Sequence, residues 1–247
     1  MITFYDLASK DSIKTWSINT WKTRYVLNLK QLSYKTVYLE FPDIKGVLQQ
    51  AGASPTIDIL DGNPVYSSPT IVDDATGTAI CDSFKIAQYL DKQYPDTPRA
   101  FPPGSEALQA AFYDQFLKMF LVFAPVLITK TPSVLNPVSY DYYHRAREVM
   151  FGKPFEQIMP VGEELEQLWR KTKEFFDLLE GWYEKSGGPY FMGGIPSFAD
   201  FVVGSMVLSL RIFDGEDGKD WRRVSVWNDG RWVRLLRDLE KYASTDE

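Results

Sequence analysis

Residues 95–104 read PDTPRAFPPG, and four prolines in ten positions break the periodicity of the chain on either side. Proline fixes φ and carries no N–H, so neither a helix nor a central strand runs through such a stretch. It is the best linker candidate in the chain, and the sequence differs in kind across it. Upstream, Ile2–Leu7 is a short β-prone run, and 15–32 carries Ile18, Trp21, Tyr25, Val26 and Leu29 at helical spacing. Residues 35–41 (KTVYLEF) alternate like a strand, and 43–51 form a short helix around Ile44, Val47 and Leu48. Strands at 69–73 and Thr78–Cys81 are joined by the polar turn 73–77, and 82–94 is a helix with Asp82 where an N-cap belongs. The order β-α-β-α-β-β-α describes a mixed α/β domain over 1–94. Downstream, 105–124, 160–185, 197–213 and 229–243 carry helical patterns, with a further helix near 140–151. The expectation is an α/β domain followed by an all-helical one over 105–247.

Composition narrows the functional classes. The 247 residues are 45% hydrophobic and 24% charged, ordinary for a globular chain long enough to bury a sizeable core. Aromatics reach 15%, which points to well-filled cores, an aromatic ligand site, or both. The net charge of -6 gives no footing for a phosphate backbone, and the arginines of 211–241 alternate with acids, so no nucleic-acid partner is expected. A single cysteine and a single histidine exclude an internal disulfide and His-Glu-x-x-His. They equally exclude zinc sites built from four cysteines, or from paired cysteines and paired histidines, so no metal is expected. The longest apolar stretch, 119–128, is too short for a membrane span and contains Pro125. With no basic leader ahead of an apolar stretch, a cytoplasmic protein without a membrane partner is the expectation.

Nucleotide-loop and hydrolase-elbow motifs are absent. Three features of the first domain carry chemistry. In Trp16-Ser17-Ile18-Asn19-Thr20-Trp21-Lys22-Thr23-Arg24 a polar stretch meets a helix start, where unpaired N–H groups favour negative charge and a hydroxyl can donate to an anion. Simple capping by Ser17 or Asn19 explains the same residues. Ser67-Ser68-Pro69-Thr70-Ile71 opens a strand with a proline, cis or trans. Asp82-Ser83 opens the next helix, as a cap or as a grip on something anionic or zwitterionic. His144 reads as a surface or packing residue and Cys81 as a buried, inert thiol.

Taken in order, these features resemble the glutathione transferases, over nearly the whole chain. Gly194-Ile195-Pro196-Ser197-Phe198-Ala199-Asp200 in the second half looks like that family's capping-box segment, Ser/Thr-x-x-Asp at a helix start. The resemblance implies a thioredoxin-like first domain that binds glutathione as co-substrate, and a helical bundle as the second. It implies that Ser17 activates the glutathione sulfur, with Asn19 and Thr20 close enough to bind or substitute. It places the backbone of Ser68, ahead of Pro69, against the cysteinyl part, and Asp82 with Ser83 against the γ-glutamyl end. Within the family, 17–25 look most like the bacterial β-etherase type and the fungal FuA class, which share Ser-Pro-x-x-Trp-Arg/Lys-Thr-Arg/Lys. This chain departs with Ile18 in place of the proline. It carries Ser17 where omega-type relatives carry cysteine, which disfavours thiol-transferase chemistry.

The implied activity is attack of a Ser17-stabilised glutathione thiolate on small aromatic electrophiles, by conjugation or β-aryl-ether cleavage. Phe116, Met119, Phe120 and Tyr143 are the candidates for the hydrophobic acceptor site. The alternative is a ligandin-type protein that binds small aromatic metabolites with little turnover. Family members are commonly two-fold dimers, so a homodimer is the default expectation.

Overall fold

The computed structural model describes residues 1–10, 13–57 and 63–245. Strands β1 (Ile2–Leu7), β2 (Tyr34–Leu39), β5 (Thr70–Asp73) and β6 (Thr78–Cys81) form a sheet in the order β2-β1-β5-β6. A two-residue ladder, β3 (Thr56–Ile57) with β4 (Pro64–Val65), lies apart and has no counterpart in the sequence pattern, being too short to show an alternation. β1 is parallel to β2, and β5 is antiparallel to both β1 and β6, with Tyr5 opposite Thr70 and Thr70 opposite Cys81. The end of β1, the start of β5 and the end of β6 therefore share one edge of the sheet. That edge positions the site.

Helix α1 (Ile18–Leu29) follows β1, α2 (Ile44–Gln50) follows β2, and α3 (Ser83–Gln93) follows β6. The second half comprises α4 (Glu106–Lys130), α5 (Pro137–Phe151), α6 (Gly162–Ser186), α7 (Phe198–Asp214), α8 (Lys219–Ser225) and α9 (Arg231–Leu239). Helix α4 passes through Pro125 instead of stopping before it. The proline removes one helical hydrogen bond, and Leu121, whose carbonyl loses that partner, lies on the exposed side of the helix. α4 with the turn that follows is long and apolar enough to cross a membrane by length and composition; in the fold it packs in the bundle against α6 and α7, burying Phe112, Phe116 and Phe123. Pro137 starts α5 at a position where its missing N–H costs nothing, three residues ahead of the sequence boundary.

α1 is buried on every face from Thr20 to Leu27, between the sheet and α7. Tyr25 stacks on Phe201 of α7 at 5.4 Å and 17°, and one apolar cluster runs from Phe4 and Ile71 through Tyr25 to Phe176 and Trp232. The linker is held as firmly. Asp91 of α3 accepts the amides of Ala100 and Phe101 at 3.0 and 2.8 Å and pairs with Lys30 at 2.9 Å, while Lys30 also donates to the Pro98 carbonyl. Phe198, the first residue of α7, donates its N–H to Ala100 O at 2.8 Å. The capping box is formed: Asp200 accepts the Ser197 amide at 2.8 Å, and also the Phe191 amide.

Candidate active site

Ser17 caps α1. Its Oγ accepts the Asn19 amide at 3.3 Å, and among the described residues no acceptor takes its own hydroxyl hydrogen. Ser17 is 3% exposed, so a bond from its hydroxyl to an anion forms away from most of the competing water. The site residues of the first half are spaced along the chain, and the sheet edge gathers them. Ser68 Oγ donates to Tyr5 O at 2.7 Å, which ties the start of β5 to β1. The Ser68–Pro69 bond is cis. Asp82 N donates to Pro69 O at 3.3 Å, so the Ser68-Pro69 and Asp82-Ser83 motifs lie side by side.

Asp82 has φ +83° and ψ 122°, a region that residues with a Cβ seldom occupy. Its Oδ1 accepts the Phe84 and Lys85 amides, both at 3.0 Å, which satisfies the first turn of α3 and leaves Oδ2 with no partner among the described residues. Capping and ligand contact are thus compatible, one oxygen for each. Ser83, the first residue of α3, is buried. Cys81 beneath them bonds the Thr70 hydroxyl, and burial pushes its thiol above the ordinary range, which fits an inert role.

Not every predicted residue faces the site. Thr20 is fully buried and its hydroxyl donates inward to Ser17 O at 3.2 Å, so it supports the turn instead of presenting an oxygen. Asn19 is exposed, with Oδ1 accepting Lys22 Nζ at 3.0 Å. The four acceptor candidates do not form one wall. Phe116 is buried against Phe175 and Phe120 in the bundle, on the α6 side of α4, with Met119 and Phe120 half-buried beside it. Tyr143 belongs to a separate cluster with Trp16 and Phe41, and its hydroxyl donates to Ile128 O. The 3.6-residue spacing that marked Phe116 as apolar does not say which neighbour the stripe faces, and it faces α6.

Of the four candidates Tyr143 alone joins the aromatic cluster that contains Trp16, the residue before Ser17, with its ring 5.4 Å from that of Phe41. Trp16 packs on Phe41 at 6.4 Å and Phe213 at 5.9 Å, and Phe41 stacks on the exposed ring of Tyr142 at 6.3 Å and 14°. Two polar clasps hold this face. Ser209 Oγ of α7 donates to Trp16 O at 2.9 Å, and Glu40 takes the Asn136 amide at 2.7 Å and the Ser139 hydroxyl. His144 is sandwiched between Tyr140 and Phe155 at 4.3 and 3.9 Å, a packing role. Lys22 and Tyr113, joined at 3.0 Å, are not marked by the sequence, because a lysine on a helix ordinarily belongs to a solvated face. Among the described residues no cluster of His, Cys, Asp and Glu is placed to hold a metal.

Comparison with known proteins gives matches over both halves. Residues 16–93 match the family described as glutathione S-transferase, N-terminal domain, and 107–242 match glutathione S-transferase, C-terminal domain. The chain is 31% identical to the glutathione S-transferase-like protein ustS of Aspergillus flavus, over 94% of this chain and 87% of that one. It superposes on the glutathione S-transferase CsGST63524 of Ceriporiopsis subvermispora, solved in complex with glutathione, with a TM-score of 0.93 and 38% identity, over 100% and 99% of the two chains. Glutathione transferase GSTFuA3 of Phanerochaete chrysosporium gives 0.90 and 35%, over 100% and 98%.

Proposed function

The chain belongs to the glutathione S-transferase family, and on that premise we propose that it binds reduced glutathione along the sheet edge and activates the thiol through Ser17. The observation that carries this is the Ser17 hydroxyl, whose hydrogen lacks an acceptor among the described residues at the N-terminus of a helix. A free thiol titrates near 8.5, so little is thiolate at neutral pH. A hydrogen bond to a charged group contributes roughly 1.5–3 kcal/mol, and one pKa unit corresponds to about 1.4 kcal/mol. The hydroxyl with the helix N-terminus accounts for a shift of one to two units. In this reading the Ser68 main chain pairs with the cysteinyl residue and the second Asp82 oxygen takes the γ-glutamyl ammonium, beside Ser83.

The thiolate then attacks a small aromatic electrophile lying against Trp16, Phe41 and Tyr142, forming a C–S bond as the leaving group departs. Where the leaving group is an aryloxide, the same step cleaves a β-aryl ether. The exposed, stacked Tyr142 ring also favours a second reading of that face, storage of aromatic ligands without turnover. We carry the homodimer and the cytoplasmic location as part of the same proposal; light scattering that gives the mass of one chain overturns the dimer.

Thermal unfolding with and without reduced glutathione tests the site. At 100 times its dissociation constant a ligand stabilises by about 2.7 kcal/mol, a rise of roughly 5–11 °C for a chain of this size. Ser17→Ala is expected to raise the pKa of bound glutathione and lower turnover about 10- to 100-fold with affinity nearly kept. Unchanged thiolate pKa and turnover in that variant removes Ser17 from the mechanism. Strong aromatic binding with no turnover in the wild type favours the storage reading.

A further inference from the structure

Among the described residues α1 and its C-terminal cap carry the three buried cations of the molecule, Lys22, Arg24 and Lys30, at 3%, 0% and 1% exposure. Two have a buried carboxylate at 2.9 Å: Asp6 for Arg24 and Asp91 for Lys30. Lys22 has none among the described residues. Its ammonium donates to two neutral oxygens, Asn19 Oδ1 and Tyr113 OH, each at 3.0 Å, and sits 5.1 Å from the centre of the Tyr113 ring. These contacts orient the charge without neutralising it, and the third ammonium hydrogen has no acceptor among the described residues. Taking an ammonium out of water is costly, and its attraction to an anion is what offsets that cost.

The position of the ammonium indicates where the anion comes from. Tyr113 stacks parallel on Phe84 at 5.8 Å and 7°, and the Phe84 amide donates to Asp82. Lys22 is therefore linked through the Tyr113 side chain to Phe84, the second residue of α3, and directly to the exposed Asn19 in the first turn of α1. The starts of both helices favour negative charge. We propose that Lys22, presented by Asn19 and Tyr113, is the counter-ion for a carboxylate of the bound ligand; resting on the glutathione reading above, this is the α-carboxylate of the γ-glutamyl residue. Asp82 would then meet the ammonium of that same residue, and the zwitterion is held from both sides.

Isothermal titration of the wild type, Lys22→Met and Lys22→Gln separates the possibilities. The ligands are reduced glutathione, its γ-glutamyl α-carboxamide and its glycyl ethyl ester. Loss of one charged hydrogen-bonding pair corresponds to about 10- to 100-fold in affinity. Lys22→Met is expected to bind glutathione weaker by that factor and to bind the carboxamide no worse than glutathione, whereas the wild type discriminates against the carboxamide. Lys22→Gln keeps donors toward Asn19 and Tyr113 and lacks the charge, so it is expected to show the same loss. The ligand-free Lys22→Met protein is expected to melt no lower than the wild type, since an unneutralised charge has been removed. Wild-type affinity in Lys22→Gln, or discrimination against the carboxamide that survives in both variants, overturns the assignment alone. Discrimination that moves to the glycyl ester overturns its placement at the γ-glutamyl end. A wild-type protein that binds none of the three ligands overturns the glutathione reading itself, and this assignment with it.

Discussion

Asp82 combines a positive φ and the cap of α3, and among the described residues its second carboxylate oxygen has no partner; that oxygen is the one proposed to meet the ligand. Asparagine caps as well as aspartate and tolerates positive φ better than most residues. Asp82→Asn is therefore expected to leave the melting temperature nearly unchanged and to weaken glutathione binding about tenfold or more, measured by titration calorimetry. A parallel loss of stability and affinity would reduce Asp82 to a cap. Capping chemistry is why this residue, Ser17 and Ser197 are legible in the sequence: each is a short polar residue at the boundary of an apolar pattern. Lys22 is not legible in that way. Its letter is the same as that of a solvated lysine, and only the placement of Tyr113, 91 positions later, makes it buried. Thr20 shows the converse, a hydroxyl in the right stretch of sequence that turns inward to the Ser17 carbonyl.

The linker illustrates how an element can be read correctly as irregular and still be structurally fixed. Its prolines rule out helix and strand, yet Asp91 takes two of its amides and Lys30 one of its carbonyls. Removing one partner of a buried pair leaves the other uncompensated, so Asp91→Ala is expected to cost about 3–5 kcal/mol in urea unfolding, more than an exposed ion pair such as Arg222–Asp217 contributes. The α7 capping box carries a pH signature. Burial raises the Asp200 carboxyl to about 6, against the amides of Phe191 and Ser197, which lower it. Between its unfolded value near 3.9 and about 6 the folded chain holds the proton more tightly, so the stability from this group is present at low pH and lost as pH rises through 6. Melting temperatures of wild type and Asp200→Asn across pH 4–7 are expected to differ most in the wild type's favour at pH 4, with the difference shrinking toward pH 7. Element types followed from periodicity most clearly at α6, which is long and apolar on one side, while α4 and α7 were marked by long stretches of high overall apolarity. The full burial of α1 is not visible in its apolar spacing, since a one-sided apolar stripe does not announce a helix enclosed between a sheet and another helix.

At the scale of the molecule, the change of pattern at 95–104 separates two kinds of sequence, but it does not separate two cores. Tyr25 against Phe201 and the continuous cluster from Phe4 to Trp232 join sheet and bundle. Thermal unfolding is expected to show a single transition, and hydrogen exchange in β1 and in α7 to report the same opening free energy; separate transitions for the two halves contradict this. That shared core was beyond the reach of periodicity, because the contacts that create it join residues far apart in the chain. Helix α7 also reaches directly to the site, where Ser209 holds the carbonyl of Trp16, the residue before Ser17. Chimaeras between relatives inherit a constraint from this bond. Crossing over at the proline-rich segment would hang the Trp16–Ser17 corner on a foreign anchor, whereas a chimaera that takes 16–30 and 198–214 from one parent would let Phe41 and Tyr142 be exchanged while the Ser209–Trp16 bond stays native.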